Sequence, residues 1–164
     1  MRLTKCMFNT YISALKFNEE ILSVGLSNGM VEIYDLEKSS LLRSVKNHYL
    51  RVSSLAFSQN IMISGSKDKS INLNDLRIKE SLIKSIKYHN GEVCTLKVKP
   101  DQSNMFASGA NDSKVYIWDV RHNTPEATIK GHKGAVKAIS WCPWKSNTLA
   151  TGGGKNDRTI KIWD

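Results

Sequence analysis

Three sets of side chains in this 164-residue chain carry the residue types of a hydrolytic triad. They are His48, Ser64 and Asp68; His89, Ser108 and Asp112; and His132, Thr151 and Asp157, with Trp118 and Trp163 following the last two sets. A hydroxyl activated by a histidine, itself oriented by a carboxylate, performs acyl transfer. Repetition argues against that reading, since an enzyme needs one such site and here the set recurs. The GxSxG turn that would expose a nucleophilic serine is also missing from the sequence. If buried, the same groups make a hydrogen-bond network: histidine between hydroxyl and carboxylate, with the indole N–H as a further donor. The three histidines stand 41 and 43 residues apart, on separate structural units rather than around one ion. No enzyme, metal or cofactor is expected.

The elements that must position these groups repeat with them. Asp35, Asp75, Asp119 and Asp164 are separated by 40, 44 and 45 residues. That is the period of propeller blades, about 40–45 residues. Gly131-His132 opens and Trp163-Asp164 closes the fourth unit, the punctuation of a WD repeat. Alternating apolar runs rich in β-branched and aromatic residues predict an inner strand at Ile12–Phe17, Val52–Phe57, Val93–Val98 and Val136–Trp141. Second strands are expected at Ile21–Leu26, Ile61–Ser66, Met105–Ala110 and Thr148–Gly152. Third strands are expected at Met30–Tyr34, Ser70–Asn74, Lys114–Trp118 and Thr159–Trp163. Outer strands are expected at Leu41–Lys46, Leu82–Lys87 and Glu126–Lys130. The fold class is therefore all-β: a WD-repeat β-propeller of about four blades, in units near residues 8–47, 48–88, 89–131 and 132–164. Because the fourth unit lacks an outer strand, an open arc of a larger, seven-bladed ring is expected, with apolar faces at both ends. The network thins toward the N-terminus. Unit two has Asn74 in place of the tryptophan, and unit one has Phe8, Val24, Asn28 and Tyr34 at the four positions.

Twenty-four Lys and Arg against fifteen Asp and Glu give a net charge of +9. The basic residues are dispersed along the sequence, Lys79, Lys84 and Lys87 being the nearest to a cluster, and no aromatics interleave with a basic run to stack bases. A solvated basic surface is the simpler reading, and nucleic acid is not the expected partner. Cys6, Cys94 and Cys142 form no CxxC pair, and Cys94 reads as a small buried hydrophobe. Met1–Phe8 has no signal-peptide apolar run, and no stretch is apolar enough for a membrane span. Nucleus and cytoplasm are the expected location.

Two local sequences are more particular. Ala135–Trp144 (AVKAISWCPW), followed by Leu149–Gly154 (LATGGG) and Asn156-Asp157, closely resembles one blade of the Fizzy and Fizzy-related proteins. Tyr11–Ser13, Arg51–Leu55 with Ile63–Ser66, and Glu92–Leu96 with Ala107–Asp112 resemble three preceding blades in register, so these would be the second to fifth of seven. The family's members are substrate-recruiting activators of the anaphase-promoting complex, a ubiquitin ligase. The resemblance implies a non-catalytic receptor whose partners are that complex and degron-bearing cell-cycle proteins. It places a KEN degron on the turns between second and third strands. Asn111 matches a family asparagine there; Ser113 stands where a second asparagine is usual, and Lys155 where a threonine is usual. A further groove, for ABBA-type motifs, would fall between units one and two. The destruction-box groove, the C-box and the Ile-Arg tail are expected outside this stretch. Two other readings fit the residues: a WD interaction scaffold without ligase docking, and a basic nucleic-acid or chromatin-associated module.

Overall fold

The computed structural model describes residues 9–164; Cys6 and Phe8, noted above, lie outside the described residues. Among the described residues, fifteen strands form four antiparallel sheets, each a simple up-and-down meander. The first sheet holds β1 (Ile12–Asn18), β2 (Ile21–Leu26), β3 (Met30–Asp35) and β4 (Ser40–Lys46). The second holds β5 (Val52–Ser58), β6 (Ile61–Ser66), β7 (Ile71–Asp75) and β8 (Leu82–Ile86). The third holds β9 (Val93–Lys99), β10 (Gln102–Ala110), β11 (Lys114–Asp119) and β12 (Ala127–Lys130). The fourth holds three strands, β13 (Val136–Trp141), β14 (Leu149–Gly153) and β15 (Ile160–Trp163). Most strands lie within a residue of the expected spans. β10 begins three residues early, where a register shift between Gln102 and Phe106 lets the strand pair beyond the apolar run.

Each sheet is apolar on both faces, so it can be buried only by stacking on its neighbours. Three cores result, one per junction. Val31, Ile33, Val52 and Met62 fill the first; Ile63, Leu73, Val93, Phe106 and Trp118 the second; Ala107, Val115, Val136 and Leu149 the third. Close approach depends on one glycine per second strand. A Cβ at Gly109 would lie 2.8 Å from a Val136 methyl, and the same contact recurs between Gly25 and Val52 and between Gly65 and Val93. The sheets make an open arc, with Leu15 and Phe17 exposed on the first and Ile160 and Ile162 on the last, 81 % and 72 % exposed.

Because each sheet meanders, its second-to-third turn and the loop into its inner strand come to the same face, called the top here. A bond repeated four times pins them together: Ser27, Lys67, Asn111 and Gly154 donate their N–H to the carbonyls of Tyr11, Arg51, Glu92 and Ala135, at 2.7–3.1 Å. Neighbouring sheets are tied as well. Ser13 and Ser53 donate to the Val52 and Val93 carbonyls of the next sheet, at 2.6 and 2.7 Å. On the outer side, Arg43 donates to Ile78 O, and Lys84 to Val120 O and His122 O. Lys84 is therefore a clamp rather than part of a free basic cluster.

Candidate functional site

The triad-like sets are built from three parts of a sheet. The histidine comes from the loop into the inner strand, the hydroxyl from the second strand, and the aspartate from the turn before the third. In unit three His89 Nδ1 lies 3.0 Å from Asp112 and Nε2 lies 2.7 Å from Ser108 Oγ, which also accepts from Trp118 Nε1 at 2.8 Å. The carboxylate takes the Nδ1–H, so Nε2 accepts from the serine O–H, whose oxygen in turn accepts from the indole. Unit four repeats the chain: His132 bonds Asp157 and, at 2.7 Å, Thr151 Oγ1, to which Trp163 Nε1 donates at 2.8 Å. Ser108 and Thr151 are buried, and their oxygens are already shared by a histidine and an indole. A nucleophile must be reachable, and these are not.

Unit two closes differently. His48 meets Asp68 at 3.1 Å, Ser70 at 2.9 Å and Ser64 at 2.9 Å. Asn74 is buried where the tryptophan would be, yet it does not touch Ser64; its Oδ1 accepts from Asn47 at 2.6 Å and from Ser81 at 3.3 Å. Asn72 donates to Asn47 O at 2.6 Å, while its own Oδ1 is buried without a partner. In unit one, Val24 is core, Asn28 accepts from Met30 N–H, and Tyr34 donates to Glu32.

These environments displace the acids and bases. Burial pushes the His48 imidazole below its ordinary value, against the opposing pull of Asp68. Burial works to raise the carboxyls of Asp68 and Asp112, but hydrogen bonds from Ser70 and Tyr49 N–H, and from His89 and Asn90 N–H, leave both below the usual range. The bond from His132 brings Asp157 down to about 2.

The three residues expected at a degron site, Asn111, Ser113 and Lys155, lie on top-face turns. Asn111 is exposed, and its Oδ1 accepts from Lys137 Nζ at 2.9 Å and from Cys94 Sγ at 3.0 Å. Two donors on one oxygen fix the amide, so that its NH2 is the end presented to solvent. Ser113, at φ 64°, occupies the left-handed position of its turn, as do Lys69 and Arg158; asparagine and glycine tolerate that conformation better than serine. Lys155 is exposed in unit four's turn, which is two residues longer between Gly154 and Asp157 than the corresponding step from Asn111 to Asp112. Nothing brings Ser113 or Lys155 into direct contact with Asn111.

What the sequence reading passed over is the support behind Asn111. Cys94, expected as a buried hydrophobe, is half-buried and polar in its contacts: its single S–H lies nearer Asn111 Oδ1 than Glu92 O, at 3.0 against 3.3 Å, and its sulfur accepts from Lys137 Nζ at 3.1 Å. Burial pushes its thiol up, against the opposing effect of Lys137. The Lys137 stem crosses Gly154, where a Cβ would sit 3.2 Å from Cγ, and at Gly153 a Cβ would collide with the Asp157 carboxylate, so the glycine run is explained by close approach. Beside this group a cleft of about 280 Å³ is lined by Tyr11, Arg51, Glu92, Cys94 and Lys137, with Arg51 paired to Glu92 at 2.5 Å. The signal was present in the sequence: Ser13, Ser53, Cys94 and Lys137 occupy the same place, two residues into successive inner strands. A second cleft, about 550 Å³, runs along the outer edge between units one and two, lined by Arg43, Lys46, Lys79, Glu80 and Leu82. Among the described residues no group of three His, Cys, Asp or Glu side chains is arranged to hold a metal, and no helix is long and apolar enough to cross a membrane.

Stacked four-stranded sheets with a buried histidine, hydroxyl and carboxylate in successive units define a propeller-type repeat scaffold. The chain belongs to the WD domain, G-beta repeat family, which matches residues 39–75, 80–119 and 123–164. It is 42% identical over 158 residues to the WD repeat-containing protein slp1 of Schizosaccharomyces pombe, covering 95% of this chain and 32% of slp1. It is 39% identical over 159 residues to the APC/C activator protein CDC20 of Saccharomyces cerevisiae, covering 95% of this chain and 26% of that protein. A chain in a crystal structure of the mitotic checkpoint complex superimposes with a TM-score of 0.92 at 42% identity, over 97% of this chain and 49% of the other. The Fizzy-type resemblance thus extends over nearly the whole chain, which itself spans between a quarter and a third of these curated relatives.

Proposed function

We propose that this chain is the substrate-recognition part of an anaphase-promoting complex activator, a non-catalytic surface that holds degron peptides of cell-cycle proteins for ubiquitination. The observation that carries the reading is Asn111, exposed on a pinned turn with its amide oriented by Lys137 and Cys94. Such a group offers two N–H donors to an extended peptide at little ordering cost, which is how a preformed surface gains affinity. Similarity to proteins named as activators, in register over nearly all of the chain, supports the same conclusion. The outer cleft between units one and two offers a second place for an extended segment, its Arg43, Lys46 and Lys79 suiting a peptide with an acidic residue.

Replacing Asn111 by alanine tests the proposal. Affinity for a KEN peptide, read by fluorescence anisotropy, should fall about fivefold to thirtyfold, the loss of one or two hydrogen bonds. The urea midpoint should stay unchanged, because the side chain is exposed. Unaltered affinity would remove Asn111 from the site.

A further inference from the structure

The fold sorts a charge that is scattered along the sequence. Lys67, Lys69, Lys133, Lys137, Lys155 and Arg158 are all exposed, and all lie on top-face turns, on loops into inner strands, or at the start of an inner strand. The carboxylates of that face are already engaged. Asp68, Asp112 and Asp157 hold His48, His89 and His132 together with backbone N–H groups of Tyr49, Asn90 and Lys133. Glu92 is paired with Arg51. Six exposed cations, of which Lys137 is hydrogen-bonded to Asn111 and Cys94, therefore share a surface whose carboxylates named here are already held.

Around Asn111 the imbalance is sharpest. Its NH2 points outward, Lys137 holds its oxygen from behind, and the Lys137 stem lies on Gly154, next in sequence to Lys155. The longer turn of unit four pushes Lys155 out, and Arg158 follows at its far end in a left-handed conformation. Apart from Glu92, which Arg51 holds, the charged and amide groups this region offers are donors or cations, so the complementary ligand is rich in acceptors and negative charge. A nucleic-acid backbone offers the same acceptors and charge, but the relatives named as activators favour a peptide.

We propose that the top face selects peptides whose degron is flanked by anionic side chains, acidic or phosphorylated, read by Lys155 and Arg158. This rests on the peptide-receptor reading above and adds to it the class of substrate.

The test compares binding of three fluorescent peptides with a common Lys-Glu-Asn core to the full chain: one with neutral flanks, one with aspartates and one with phosphoserines. A short DNA duplex serves as a fourth probe. The anionic flanks should improve affinity about tenfold at low salt, an advantage that shrinks as salt is added. In a Lys155→Glu, Arg158→Glu variant the ratio of anionic-flank to neutral-flank affinity should fall to one or below, whatever happens to the neutral-flank affinity itself. Improvement by phosphoserine alone would assign the site to phosphorylated partners, and improvement by both to acidic ones. Equal affinity for neutral and anionic flanks overturns the inference and leaves the receptor reading standing. No binding of any peptide overturns both. Duplex binding that exceeds every peptide and is lost on charge reversal makes the face a nucleic-acid surface instead.

Discussion

Units two and three stand side by side, share a strand order and the same histidine, serine and aspartate set, and finish the arrangement by opposite means. In unit three an indole closes it. Trp118 is fully buried, donates to Ser108, stacks on Phe106 and meets Tyr116 edge-on, with Tyr116 also against the His89 ring at 4.6 Å. In unit two the registered positions hold Asn74 and Asn72, and Asn47 from the preceding loop bonds both. The aromatic solution buries large area and satisfies its one polar atom. The amide solution buries more polar atoms than it pairs, leaving Asn72 Oδ1 alone. The difference teaches that the repeat constrains the histidine, not what covers it, and that the cover decides how much stability a unit gains.

The largest effect that could break this comparison comes from truncating the two covers. Trp118→Ala removes a fully buried ring and the donor to Ser108, and should cost about 3–5 kcal/mol. Asn74→Ala leaves Asn47 and Ser81 without an acceptor and should cost about 1–2 kcal/mol. Urea unfolding of the two variants measures both. Equal losses, or a larger loss at Asn74, would mean that the amides stabilise unit two as much as the indole does unit three. Trp163, only partly covered in unit four, should lose less than Trp118.

Acid sharpens the comparison next. The imidazole of His48 lies below 6.5 in the folded chain, so the unfolded chain takes up this proton first as pH falls. The stability it contributes is whole above pH 6.5 and declines below it. Asp157, near 2 when folded against 3.8 otherwise, behaves alike at lower pH: its contribution is whole above about 4 and is lost between 3.8 and about 2. Stability should therefore decline in two steps on acidification. The upper step should disappear in His48→Gln and the lower should persist. An upper step that survives His48→Gln would place the titrating group elsewhere.

Much of this was legible in the sequence. The spacing of Asp35, Asp75, Asp119 and Asp164 and the alternation in each run fix the sheets, because a period of two and a period near 40–45 residues leave few other folds. The partners of His48, His89 and His132 were readable for the same reason. Asn47, Asn72 and Ser81 were not, since they belong to unit two alone and no repeated column marks them. Nor was the support of Asn111 by Lys137, a contact between units that only the stacking creates. The sorting of charge to one face is likewise a consequence of the meander, which puts residues 67, 133 and 155 at the same end of their sheets although nothing in their neighbourhoods suggests it.

The smallest effect is expected at Asn72 itself, where two contributions oppose each other. Asn72→Leu removes a buried carbonyl oxygen that has no partner, and desolvating such an atom costs roughly 1–3 kcal/mol. It also removes the donor to Asn47 O, orphaning that carbonyl at a cost of similar size, while a leucine keeps the heavy-atom count and branching of the asparagine. The sum should fall within about 1 kcal/mol of zero, seen as an unchanged urea midpoint. A loss above about 2 kcal/mol would show that Asn72 holds Asn47, and through it Asn74, in place. The amides would then be one cooperative network, and unit two would match the indole of unit three by connectivity rather than by area.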